Sequence, residues 1–190
     1  MSVRPVAARD RDTLLDIAAE VLVTDPSAAL AEVAVAAGIG RTTLHKQYAT
    51  RDDLLRAVGH RALDLWEQAI EGVGDGPDGG LRALVEATIP IGPQLGFLWR
   101  TPIFDHAADI VDRWVGVETH GLAVVRRAQE LGIVSTAVPD WWLLETFYAL
   151  VYVAADKVSS GHLAARDAAD LFLSTFLGGL GTSPVPGGKP

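Results

Sequence analysis

The chain has 190 residues, 49% of them hydrophobic, which is enough for one globular unit or two small domains sharing a core. It contains no cysteine, so disulfides and thiolate zinc sites are excluded, and a reducing, cytoplasmic setting is expected. The net charge of −8 is unevenly spread: residues 1–60 carry seven Lys/Arg against eight Asp/Glu, and residues 61–190 carry nine against sixteen.

In chain order, Met1–Ala8 reads as a frayed arm bearing Arg4, with Arg9 and Arg11 just beyond it. Met1–Arg11 is charged and proline-containing, without the apolar centre of a signal peptide. Arg9–Thr24 is predicted helical, with Leu14, Ile17, Ala18, Val21 and Leu22 on one face. Asp25-Pro26 ends it, and Ser27 is the expected N-cap of the next helix. Within that helix Leu30, Val33, Ala34 and Ala37 recur at i, i+3, i+4 and i+7, one face again. Gly38 closes the run where a left-handed residue is cheap only for glycine, and Gly40 can cap a second short helix.

From Arg41 onward Leu44 and Tyr48 are four apart and face inward together. Arg41, Thr42, Thr43, His45, Lys46 and Gln47 are left mostly outward, and no acidic residue lies between Val33 and Arg51. One helical face offering donors, positive charge and small hydroxyls suits the major groove of DNA, so Ser27–Arg56 reads as a helix-turn-helix. An ordinary helical hairpin with a solvated polar face is the plainer alternative. Gly38-Ile39-Gly40 also begins like a dinucleotide-binding G-x-G-x-x-G, but Thr43 stands at the third glycine and no strand precedes it.

Thr50 and Asp53 have capping-box spacing for a long helix over 51–72, whose stripe includes Leu54, Val58, Ala62, Leu65, Trp66, Ala69 and Ile70. The glycine-rich 72–80 follows as a loop. Leu81–Thr88 is a short helix stopped by Pro90 and Pro93, and Gln94–Thr101 suggests short irregular helices. Ile103–Trp114 and Glu118–Leu131 read as two further helices. The helix over about 139–158 is apolar nearly all round, from Trp141 and Trp142 to Tyr152, and needs cover on both sides. Its apolar run Phe147–Ala155 falls far short of the ~20 residues a membrane-spanning helix needs. A last helix over about 163–179 carries Leu171, Phe172 and Phe176, with Leu173 and Leu177 on another side. Residues 180–190 are a Gly/Pro-rich tail.

Two late helices with two apolar faces each call for a two-fold four-helix bundle, with Leu150, Leu173 and Leu177 expected at a homodimer interface. Aromatic side chains concentrate outside the helix-turn-helix and suggest either plain core or an apolar ligand pocket. Asp105, His106, Asp109 and Asp112 look like metal ligands only superficially; a solvated helix face explains them, and no metal or cofactor is expected. H-E-x-x-H, P-loop and G-x-S-x-G motifs are absent, and an enzyme is not expected.

The stretch AEVAVAAGIGRTTLHKQYATRDDLL resembles the DNA-binding signature of the tetracycline-repressor (TetR) family of transcriptional regulators. Val33-Ala34, Ala37-Gly38-Ile39, Thr43-Leu44, Tyr48 and Thr50-Arg51-Asp52 with Leu54 take the signature's places over about residues 9–70. Family members carry Thr or Ser at the positions of Ala28 and Ala29, so one phosphate contact is missing here. The resemblance implies an all-α fold with a three-helix helix-turn-helix domain (1–50), a connecting helix (51–72), a helical ligand-binding and dimerisation domain (73–180) and a tail (181–190). It implies a pseudo-palindromic double-stranded DNA partner, met at bases by Arg41, Thr42, Thr43 and His45 and at phosphates by Ser27, Lys46, Tyr48 and Arg51. It further implies a small apolar or aromatic effector lodged among Trp66, Trp99, Phe104, Trp114 and Tyr148, and a repressor released by that effector. A regulator whose second domain only dimerises or binds another protein stands as the alternative.

Overall fold

The computed structural model describes residues 11–74, 76, 78–102, 104 and 107–180. The N-terminal arm with Arg4 and Arg9, the pair Asp105 and His106, and the tail 181–190 lie outside the described residues. Among the described residues the regular structure is entirely helical: α1 (Arg11–Thr24), α2 (Leu30–Ala36), α3 (Arg41–Gln47), α4 (Arg51–Glu71), α5 (Leu81–Thr88), α6 (Gly92–Arg100), α7 (Ala108–Glu130), α8 (Asp140–Ser159) and α9 (Ala165–Leu180). No described helix is long and apolar enough to cross a membrane. Backbone packing divides the chain into two compact units: one runs to Leu65 and takes in Pro93–Trp114, and the other holds Trp66–Gly92 and the chain from Val115 on. Both α4 and α7 are unbroken helices shared between the two.

In the first unit the inward face of α1 buries Leu14, Leu15, Ala18 and Leu22, and α2 and α3 bury Val33, Ala34 and Leu44. Gly38 adopts φ +66°, the left-handed turn that lets α3 leave α2 at an angle. The long α4 starts on the capping box read from its sequence. The Thr50 amide donates to Asp53 Oδ2 at 2.9 Å, and the Asp53 amide donates to Thr50 Oγ1 at 3.1 Å. Arg61 on α4 grips α1 through Asp16 (3.1 Å) and Asp12 (3.2 Å).

The second unit is organised around aromatic edges. Trp66 meets Tyr148 at 5.4 Å and Phe147 at 6.5 Å between ring centres, and Phe147 meets Phe172 at 5.1 Å and Phe176 at 6.2 Å. Thus α8 and α9 join through their phenylalanines. Gly92 sits so close to α8 that a side-chain carbon there would overlap the Ala155 methyl.

Two local expectations are corrected. Ser27 does not cap α2: it sits in a turn, its amide and hydroxyl both donating to Asp25 Oδ1 at 2.8 and 2.6 Å, and Ala29 takes the cap position. Glu32 compensates by accepting from the Ala29 amide at 2.6 Å, half of a capping box. The two helices expected over 103–131 are one, α7. Gly116, like Gly121 further along, costs only about 1 kcal/mol in a helix, and no proline lies within α7. The helix expected over Leu81–Thr88 has those bounds as α5, and each proline beyond it falls in a first turn: Pro90 in the 3-10 turn Ile89–Ile91 and Pro93 in α6.

Candidate nucleic-acid interface and ligand pocket

The sequence R-T-T-L-H-K-Q turns one residue inward and the rest outward. Leu44 is fully buried, while Arg41, Thr42, Thr43, His45, Lys46 and Gln47 are all exposed. No acidic side chain pairs with Arg41 or Lys46 among the described residues. The face is therefore a short stretch of cations and hydroxyls open to a polyanion.

Two of the expected phosphate contacts take other positions. Tyr48 is only 5% exposed and packs inward, its hydroxyl accepting from Arg11 Nε at 3.4 Å. The four-residue spacing from Leu44 that marks it as inward-facing prevails over its place beside the basic face. Arg51 turns its guanidinium onto the backbone carbonyls of Ala28 and Pro26, so it ties the turn before α2 to the start of α4. Ser27 remains exposed, its hydroxyl committed to Asp25. That hydrogen bond holds the Asp25 carboxyl below the usual carboxylate range.

Sequence reasoning passed over Val35. It lies on α2 with 80% of its surface exposed, an apolar side chain next to the glycine turn. The signal was available: Val35 is the one large apolar residue in that helix that falls outside the i, i+3, i+4, i+7 pattern.

The five aromatic residues expected around a ligand fall into two groups. In the second unit Trp66 is fully buried against Tyr148, and the Trp66 indole Nε1–H has no acceptor. Burial, with the Glu118 and Glu145 charges adding to it, raises the Tyr148 phenol above its ordinary value. Gly121 on α7 lets the two helices approach there: a methyl at that position would come within 3.4 Å of the Tyr148 hydroxyl. In the first unit Trp99 and Trp114 pair at 6.3 Å, and Phe104 meets Phe97 at 5.6 Å. There Gln94 is buried on α6, its side-chain oxygen without a donor.

Of the three expected dimer residues, one is buried within the protomer. Leu173 is 7% exposed and belongs to the protomer's own core; Leu150 and Leu177 are half-buried. The exposed apolar residues of α8 and α9 are instead Trp141, Trp142, Val153 and Leu171. Helical rotation explains the difference, since Leu171 and Leu173 are two residues apart and point in different directions. Among the described residues no cluster of His, Cys, Asp and Glu is arranged to hold a metal ion. Asp109 instead accepts hydrogen bonds from Arg56 (2.9 Å) and His60 (2.9 Å).

No protein-family model matches the chain. The HTH-type transcriptional repressor LfrR of Mycolicibacterium smegmatis is 31% identical over 180 residues, covering 93% of each chain. The HTH-type transcriptional regulator NfxB of Pseudomonas aeruginosa is 28% identical, covering 88% of this chain and 92% of its own. The crystal structure of the TetR-like regulator LfrR from Mycobacterium smegmatis in complex with proflavine superposes with a TM-score of 0.71 at 30% identity, covering 91% of this chain and 97% of that one. These relatives are transcriptional regulators, not enzymes. An exposed, acid-free helix following a glycine turn, on an all-helical chain so similar to LfrR along nearly its full length, identifies the chain as a member of the TetR-like family of helix-turn-helix transcriptional regulators.

Proposed function

We propose that the protein is a homodimeric repressor that binds a pseudo-palindromic operator through α3 and leaves it when a small apolar or aromatic ligand binds. The observation that carries this reading is the exposed face of Arg41, Thr42, Thr43, His45 and Lys46, facing outward with no acidic partner for its arginine and lysine. Arg41, Thr42, Thr43 and His45 meet base edges, Lys46 meets phosphate, and Val35 offers an apolar contact of the kind a thymine methyl accepts.

Dimerisation is supported by the exposed Trp142, Val153 and Leu171, which a second copy of α8 and α9 would cover. The ligand reading rests on Trp66 and Tyr148, where a buried indole N–H lacks an acceptor, and on the LfrR complex with proflavine. A ligand with an apolar body and one acceptor fits that requirement. The test is fluorescence anisotropy of the purified protein on the DNA flanking its own gene, followed by a screen for compounds that raise the melting temperature. Saturable binding to one palindromic segment, reversed by a screened compound, is the expected result. Equal affinity for unrelated DNA of the same length would overturn it.

A further inference from the structure

On α4, Arg56, His60 and Asp64 are spaced four residues apart and share one face, and Asp109 and Arg113 share a face of the first turns of α7. The two rows interlock within the unit that carries the helix-turn-helix. Arg56 Nη1 donates to Asp109 Oδ1 at 2.9 Å, and Arg113 Nη2 donates to Asp64 Oδ1 at 2.7 Å. His60 stands between these ion pairs and meets both α7 residues: Nε2 lies 2.9 Å from Asp109 Oδ2, and Nδ1 lies 3.2 Å from Arg113 Nη1. Among the described residues these are the charged groups around the ring; Arg61, the next cation on α4, turns to α1 through Asp16 and Asp12.

The partners fix the protonation of the ring. A guanidinium has donors only, so the contact with Arg113 needs a bare Nδ1. The neutral ring then carries its proton on Nε2, where Asp109 accepts it. One tautomer of neutral histidine thus satisfies both neighbours. A proton added at Nδ1 sets an N–H against the Arg113 N–H and a second positive charge beside the guanidinium. The same proton strengthens the bond to Asp109, which then joins two charged groups. Neither α7 residue is stranded by the change. Arg113 keeps Asp64, and the Asp109 carboxyl, held below the usual carboxylate range by the His60 hydrogen bond with the Arg56 charge assisting, stays ionised in mild acid. The His60 side chain is 37% exposed, which opens it to protons from solvent.

We propose that His60 is a pH-dependent clasp between α4 and α7: neutral, it holds Asp109 and Arg113 together; protonated, it releases Arg113 and keeps Asp109. The clasp acts within one unit and is tested without DNA.

The experiment uses the full chain at pH 8 and pH 5, either side of the ordinary imidazole value of about 6.5. Long-range proton–nitrogen NMR of the histidine rings, with the His60 signals identified by their absence in His60→Gln, reads the tautomer. A ring protonated on Nε2 and bare on Nδ1 is expected at pH 8. Double-mutant cycles followed by melting temperature then measure each contact. All three side chains are partly exposed, so their alanine variants are expected to fold. At pH 8 the loss in the double variant His60→Ala with Arg113→Ala should be smaller than the sum of the single losses by about 1–3 °C, the scale of one hydrogen bond in a chain of this size. At pH 5 that coupling should vanish or change sign, while the coupling of His60→Ala with Asp109→Ala should persist. The second cycle separates the clasp from a general loosening in acid, which would weaken both couplings. The opposite tautomer at pH 8, a His60–Arg113 coupling that is absent at pH 8 or unchanged at pH 5, or loss of both couplings together at pH 5 would each overturn the proposal.

Discussion

At the scale of single residues, the basic side chains of the helix-turn-helix divide by what already holds them. Lys46 has only solvent to face, whereas Arg51 is committed to the Ala28 and Pro26 carbonyls. Lys46→Ala should therefore weaken binding to all DNA sequences alike and lower the salt slope of log affinity by about one unit. Arg51→Ala should act through folding: it removes hydrogen bonds from a charged donor, costing about 1–3 kcal/mol, and leaves the salt slope as in the parent. Salt titrations of operator affinity, beside thermal melts, separate the two; a slope change in Arg51→Ala would return that residue to the phosphate backbone. Asp109 supports a pH prediction. Hydrogen bonding to His60, with the Arg56 charge assisting, holds its carboxyl below the ordinary carboxylate value. A depressed folded value means stability that is present above about pH 4 and lost as pH falls through the folded value. Asp109→Asn should thus flatten the fall in melting temperature below about pH 4, and an unchanged acid limb would show that the contact contributes nothing to folding.

At the scale of elements, helix pairs meet where small residues permit it, and one substitution tests this. Gly92→Ala would force a methyl into Ala155 and should destabilise the protein by about 1–3 kcal/mol, read as a lowered denaturation midpoint with unchanged cooperativity. On α9, Leu173→Arg should unfold the protomer because Leu173 is 7% exposed, while Leu171→Arg, at 54% exposed, should leave the fold intact and separate the proposed dimer into monomers. Light scattering of Leu171→Arg decides the matter, and a persistent dimer would place the interface on another face. These pairs also show what the sequence could convey. Periodicity marked Leu44 as buried and its neighbours on α3 as exposed, because a 3.6-residue repeat is a local property. The capping box at Thr50 and Asp53 and the turn at Gly38 were legible for the same reason. The choice between Leu171 and Leu173 was not, since α9 is apolar on several sides and only its packing against α8 selects the inner one. The continuity of α7 across Gly116 was hidden in the same way, by tertiary packing that outweighs a poor helix former. Ser27 misled because a hydroxyl near a helix start serves a turn as readily as a cap.

At the scale of the whole molecule, α4 is one of the two helices shared by the two units, and the proposed response to ligand is tested on it. It runs unbroken from Arg51 to Glu71, beginning in the unit of the helix-turn-helix and ending, from Trp66, in the other. In the proposed function a ligand beside Trp66 acts on the same helix whose first turn follows α3 in the chain. The size of the effect is bounded by differential affinity. A ligand that prefers the non-binding arrangement by ~2.7 kcal/mol lowers operator affinity by at most about a hundredfold per site. Reciprocity then requires operator DNA to weaken ligand binding by the same factor. Trp66→Ala is unsuited to test this, because truncating a fully buried tryptophan costs about 3–5 kcal/mol of stability. Trp66→Phe keeps most of the packing against Tyr148 and Phe147 and removes only the indole and its unpaired Nε1–H. It should bind operator as the parent does yet need a higher concentration of a screened ligand for release. Titrating both proteins with operator, with and without that ligand, measures the coupling from each side. Unchanged release in Trp66→Phe would remove this side chain from the mechanism, and identical ligand affinity with and without operator would show that the two sites are not coupled at all.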